Sequence, residues 1–133
     1  MDTSPKMKPV RILLVDDDRL IRSLGRELLE NLGYAVETAE NGEEVLEQCG
    51  QGPPPELVIL DFNLPGGISG LALLQRLREI HPAGRVLLAS GFFSKQEMAE
   101  LQEAGAAGFL FKPFRVAELK SRIEEVLGGL SGS

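Results

Sequence analysis

Five side chains in this sequence are of types that could handle a phosphoryl group together. They are Asp16 and Asp17 in "LLVDDD", Asp61 in "VILDFNLPGG", Ser90 in "VLLASG" and Lys112 in "FLFKPF". Asp16, Asp61, Ser90 and Lys112 each stand directly after a run rich in apolar residues, and Asp17 follows Asp16. Three carboxylates gathered at one place repel, and Asp is almost never buried without a partner, so the set implies a missing positive charge. A hard divalent cation such as Mg2+ takes oxygen ligands and reverses that repulsion. Beside such an ion the Asp61 carboxylate could attack a phosphoryl group and carry it as an aspartyl phosphate. Lys112 and the Ser90 hydroxyl would then neutralise and hydrogen-bond the incoming oxygens, and positioning with charge stabilisation is most of what phosphoryl transfer requires.

Single acids have duller explanations. Asp18 immediately precedes a helical pattern that starts at Arg19 and is read as its N-cap, whereas one helix start does not need all three aspartates. The chain has five Asp, at positions 2, 16, 17, 18 and 61, among twenty acidic residues. Generic surface acids here are Glu, so the short carboxylates are placed for geometry. The lone Cys49 rules out an internal disulfide and any cysteine zinc cluster, and its spacing from Val45 and Leu46 makes it a helix-face residue rather than a nucleophile. The single histidine, His81, stands before Pro82 at the end of a helical pattern and is read as a surface residue.

The elements that would position the set alternate between short β-like runs and helical periodicity, five times over. Strands are expected at Ile12–Val15, Tyr34–Thr38, Leu57–Leu60, Val86–Ala89 and Gly108–Phe111, the second of them, with Glu37, an edge. Between them Leu20, Leu24, Leu28 and Leu32 predict one apolar helix face ended by Gly33. Asn41 with Glu44, and Ser94 with Glu97, stand at N-cap and N3 spacing. Leu71, Leu74 and Leu77 mark the third helix, and Val116, Leu119, Ile123 and Val126 the fifth. Five such units predict an α/β fold, a single doubly wound five-stranded parallel sheet of flavodoxin-like (βα)5 type, in which ligands bind beyond the carboxyl ends of the strands. Residues 10–127 would form this domain, with a flexible segment at 1–9 and a flexible tail at 128–133.

Length and charge set further bounds. The chain has 133 residues, 43% of them hydrophobic, enough for one domain with a real core. Its formal charge of −6 argues against direct nucleic-acid binding, and no apolar run approaches the roughly 18 residues of a membrane span. "MDTSPKMKP" has no apolar stretch of a signal peptide, so a cytoplasmic protein is expected.

Over about residues 10–127 the sequence resembles the receiver domain of two-component response regulators, of the kind found in chemotaxis regulators. The resemblance rests on the acidic pair in "LLVDDD", the acceptor in "VILDFNLPGG", the hydroxyl in "LLASGF" and the lysine in "FLFKPF", in that order. It implies the strand order 2-1-3-4-5. It implies further that Asp61 is phosphorylated, and that Mg2+ is held by Asp17, Asp61 and the backbone carbonyl of Asn63, with Asp16 acting through a water. By the same resemblance the backbone amides of Phe62 and Gly91 bind phosphoryl oxygens, Lys112 pairs with another, Ser90 and Phe109 form the switch, and the Lys112–Pro113 peptide is cis. Without the family Phe109 would be read as core. Two features depart from the pattern: "LPGGISG" is one residue longer and carries Ser69 where an acid is common, and a large apolar Phe92 stands two residues past Ser90.

The resemblance implies a phosphorylated switch rather than an enzyme, one that promotes its own phosphotransfer and slow dephosphorylation. Its partners would be a sensor histidine kinase or histidine phosphotransfer protein, an output protein not identifiable from the sequence, and a second copy of itself if phosphorylation drives dimerisation. With only His81 in the chain, the donor histidine must lie on another protein or domain. No output module is visible, as in a stand-alone regulator or a piece of a longer one. The alternative is an Mg2+-dependent phosphatase of the haloacid dehalogenase type, but that mechanism needs an Asp two residues after the nucleophile, where this chain has Asn63. A flavin module would need a phosphate loop where the aspartates stand. A degenerate receiver that only binds partners fits poorly with intact Asp61 and Lys112.

Overall fold

The computed structural model describes residues 9–64 and 67–131. Strands β1 (Arg11–Val15), β2 (Ala35–Ala39), β3 (Leu57–Asp61), β4 (Arg85–Ser90) and β5 (Gly108–Phe111) alternate with helices α1 (Arg19–Asn31), α2 (Gly42–Gly50), α3 (Gly70–Ile80), α4 (Lys95–Glu103) and α5 (Val116–Ser131). The strands form one parallel sheet in the order β2-β1-β3-β4-β5, so β2 is an edge as its Glu37 suggested.

Side chains alternate between the two faces of a strand, and here both faces are covered. Leu13, Val15, Val58, Leu60, Val86, Leu88 and Phe109 point to one core, closed by Val45 and Cys49 of α2, Leu73, Leu74 and Leu77 of α3, and Leu101 of α4. Ile12, Leu57, Ile59, Leu87, Ala89 and Leu110 point to the other, closed by Leu29 of α1 and Leu119, Ile123 and Leu127 of α5.

Helix starts follow the sequence. Asp18 accepts from the amides of Leu20 and Ile21, Asn41 from Glu44, and Ser94 forms a reciprocal capping box with Glu97. Ser69, the departure in the third loop, caps α3 through the Ala72 amide, while Pro65 and Gly66 of that loop lie outside the described residues. Gly33 ends α1 with a φ of +101°, which a residue without Cβ adopts freely.

Helix faces required correction. The Leu20–Leu24–Leu28–Leu32 stripe is not the buried face of α1, because Leu20 is 65% and Leu24 58% exposed while Leu29 is fully covered. A spacing of four residues overshoots a 3.6-residue turn by roughly 40° per step, so the stripe winds off the core toward its amino end. In α5 Leu127 takes the place expected for Val126, and Val116 is exposed; in α3 Leu73 lies deeper than Leu71. Residues 128–131, expected in a flexible tail, continue α5, while 1–8 and 132–133 lie outside the described residues. Among the described residues no helix is long and apolar enough to cross a membrane.

Candidate functional site

Sheet register assembles the five residues. Val15 of β1 pairs with Leu60 of β3, so the next residues, Asp16 and Asp61, emerge side by side. Asp61 pairs with Ala89 of β4, which puts Ser90 one step beyond, and Ser90 pairs with Phe111 of β5, which does the same for Lys112. A backbone bond from the Lys112 amide to the Ser90 carbonyl, 2.8 Å, ties the last two together.

Carboxylate oxygens of Asp16, Asp17 and Asp61 lie within 4.8 Å of one another. Asp16 and Asp61 are buried and Asp17 is exposed. Lys112 Nζ stands 3.4 Å from Asp16 Oδ2 and 3.5 Å from Asp61 Oδ2, one ammonium against three carboxylates. That excess of negative charge, made of hard oxygen donors, is the ligand set a divalent cation takes. Asp16 Oδ1 accepts from the Asp18 amide at 2.9 Å, and Arg22 donates to the Asp16 carbonyl at 2.8 Å, which fixes the turn. Asp18 is outside the cluster, its Oδ1 taken by two helix amides.

Ser90 is 1% exposed, and its hydroxyl donates to the Phe92 carbonyl at 2.9 Å while accepting from the Asn63 carboxamide at 2.9 Å and the Phe92 amide at 3.2 Å. The Asn63 backbone amide donates to Asp61 Oδ1 at 3.0 Å. The Phe62 amide, given a phosphoryl-binding role by the resemblance, is engaged here with the Ala89 carbonyl at 2.8 Å. Gly91 is exposed beside Ser90. Phe109 is 8% exposed and meets Phe93 edge-on, ring centroids 5.1 Å apart. Phe93 in turn touches Phe62 at 5.3 Å and Phe111 at 5.6 Å. The Lys112–Pro113 peptide is cis.

Away from the cluster, Cys49 is buried in α2, and desolvation, opposed in part by Arg11 and helped slightly by Glu37, pushes its thiol above the ordinary range. It is a core residue. His81 ends α3 and packs against Gly84.

Three features escaped the sequence reading. The Asn63 carboxamide and the Phe93 ring act through contacts that no local pattern announces. The third is a cleft of about 230 Å3 between α1 and α5, walled by Ile21, Leu24, Leu28, Phe114 and Leu119, that runs to Asp16, Asp61 and Lys112.

A family model described as the response regulator receiver domain matches residues 12–124. The chain is 37% identical over 119 residues to the response regulator MprA of Mycolicibacterium vanbaalenii, an alignment covering 90% of this chain and 51% of that protein. It spans about half the length of the curated relatives it matches. Its structure is similar to that of a CheY-like receiver domain protein from Methanospirillum hungatei, with a TM-score of 0.87, 29% identity, and 94% and 98% of the two chains covered. It is also similar to a response regulator protein from Burkholderia pseudomallei, described with a phosphorylated aspartic acid and a calcium ion. That match has a TM-score of 0.78 and 27% identity, over 93% of this chain and 73% of the other.

Proposed function

Because the chain belongs to the response regulator receiver domain family, whose members are signalling switches of two-component systems, we propose that Asp61 is its phosphoacceptor and that phosphorylation there changes partner binding. The carrying observation is the buried Asp61 carboxylate, 3.5 Å from Lys112 and within 4.8 Å of two further acids. The phosphorylated aspartic acid in the Burkholderia neighbour supports it.

Asp17, Asp61 and the Asn63 carbonyl would hold Mg2+ directly, with Asp16 reaching it through a water. Bound there, Mg2+ would offset the carboxylates and the charge of an arriving phosphoryl group. The donor is a phosphohistidine of a sensor kinase or phosphotransfer protein. An Asp61 oxygen attacks phosphorus, the P–N bond breaks, and the donor imidazole leaves with the electron pair, giving an aspartyl phosphate. Lys112 shifts from carboxylate to phosphoryl oxygen. Ser90 turns to donate its proton to another, joined by the amides of Gly91 and, once released from Ala89, of Phe62. Phe109 carries the change outward through its contact with Phe93. Water later hydrolyses the acyl phosphate slowly.

The α1–α5 cleft fits the donor. Its apolar walls end at Asp61, so the occupant is an apolar helix that brings its histidine to the acid cluster. The protein would act in the cytoplasm, with an output protein that the sequence does not identify and a second phosphorylated copy of itself as its further partners.

A phosphatase would turn over repeatedly, whereas Asn63 offers an amide where that reaction needs a proton donor. With acetyl phosphate and Mg2+, the protein should carry at most one phosphate per molecule and release it only at the slow rate at which the isolated phosphoprotein decays, and chelation should prevent uptake. Fast turnover with no phosphoprotein accumulating would overturn the switch reading in favour of the phosphatase.

A further inference from the structure

Resting on that reading, we propose that the Asn63 side chain is a latch that holds the Ser90 hydroxyl away from Asp61 until a phosphoryl group competes for it. A serine hydroxyl has one proton to donate and two lone pairs to accept with. In this structure all three are spent: the proton on the Phe92 carbonyl, the lone pairs on the Asn63 carboxamide and the Phe92 amide. Ser90 can reach a phosphoryl oxygen only by giving up its bond to Phe92, and turning the hydroxyl also strains or breaks the 2.9 Å bond from Asn63.

Asn63 is suited to this because it touches both partners of the exchange. Its backbone amide donates to Asp61 Oδ1 and its side chain to Ser90 Oγ, 27 residues along the chain. A change in charge at Asp61 is therefore felt by the residue that restrains Ser90. Release of the hydroxyl frees the Phe92 carbonyl, and the next residue is Phe93, the ring in contact with Phe62, Phe109 and Phe111. The latch thus sits between the acceptor and the aromatic cluster. Asn63 itself is exposed, so trimming it removes no core packing.

The test is amide NMR on the full chain with beryllofluoride and Mg2+ as the phosphoryl mimic. In Asn63→Ala without the mimic, the amides of Gly91, Phe93 and Phe109 should move along the line joining the two wild-type endpoints. Affinity for beryllofluoride should rise about threefold to tenfold, the worth of one neutral hydrogen bond. In a Ser90→Ala background the same substitution should leave those amides in place, which a merely structural role of Asn63 would not require. If wild type responds to the mimic but Asn63→Ala without it matches wild type, or moves off the line, the latch is wrong and the receiver reading stands. If wild type itself ignores the mimic, both fall.

Discussion

The two faces of the sheet are built from the same kinds of residue and are covered unequally. Three helices, α2, α3 and α4, close one face over a continuous core that includes Val45, Leu74 and Leu101. Two helices, α1 and α5, cover the other and leave the 230 Å3 cleft between them, with Leu24 turned to its mouth. The closed face supplies stability, and the open face supplies an approach to Asp61. An apolar residue is therefore no guide to its role here until its face is known.

Trimming one leucine on each face should separate the two roles by the largest margin. Leu74→Ala, in the closed core, should cost roughly 2–5 kcal/mol in denaturant unfolding. Leu24→Ala should stay within about 0.5 kcal/mol of wild type while slowing phosphotransfer from a histidine donor. Equal losses of stability would mean that the open face is ordinary core.

Two glycines give a smaller contrast. A Cβ on Gly42 would lie 2.3 Å from the Ile68 Cγ2 atom, a β-branched side chain packed on the closed core, and Gly42→Ala should cost about 1–3 kcal/mol. A Cβ on Gly25 would lie 2.6 Å from a terminal methyl of Leu14, which borders the cleft and has room to move. Gly25→Ala should be neutral or gain up to about 1 kcal/mol from helix propensity, read as a shift in melting temperature. A large loss at Gly25 would show that the cleft is not free space.

At the rim where the open face meets the strand ends, charge decides. Without Mg2+, Asp17→Asn should stabilise the fold by roughly 1 kcal/mol, the scale of like charges about 4 Å apart in water. Mg2+ at ten times its dissociation constant should add about 1.4 kcal/mol to wild type by linkage. Asp17→Asn should lose most of that gain and Asp18→Asn keep it, since Asp18 caps α1. Denaturant melts of the three proteins with and without Mg2+ check the assignment, and sensitivity at Asp18 instead would reverse it.

The strand ends were legible because an apolar run followed by Asp, Ser or Lys marks both the end of a buried strand and the residue presented there. Parallel register then did the rest, carrying Asp16, Asp61, Ser90 and Lys112 to one place. Caps were legible for a similar reason, since Asp18 and Ser94 act on amides two or three residues away. The rotation of α1 was not, because a four-residue repeat is compatible with a range of inward directions and only the sheet selects one. Nor was the bond from Asn63 to Ser90, or the place of Phe93 among three other rings, since these depend on side-chain directions that meet only after folding.

The residue that takes the phosphate decides whether this fold is a phosphoacceptor built around Asp61. After treatment with acetyl phosphate and Mg2+, intact-mass analysis should find one phosphate on wild type, mapping to Asp61, and none on Asp61→Asn. A phosphate that persists on Asp61→Asn, or that maps to Ser90, would contradict the claim that Asp61 is the acceptor this fold assembles.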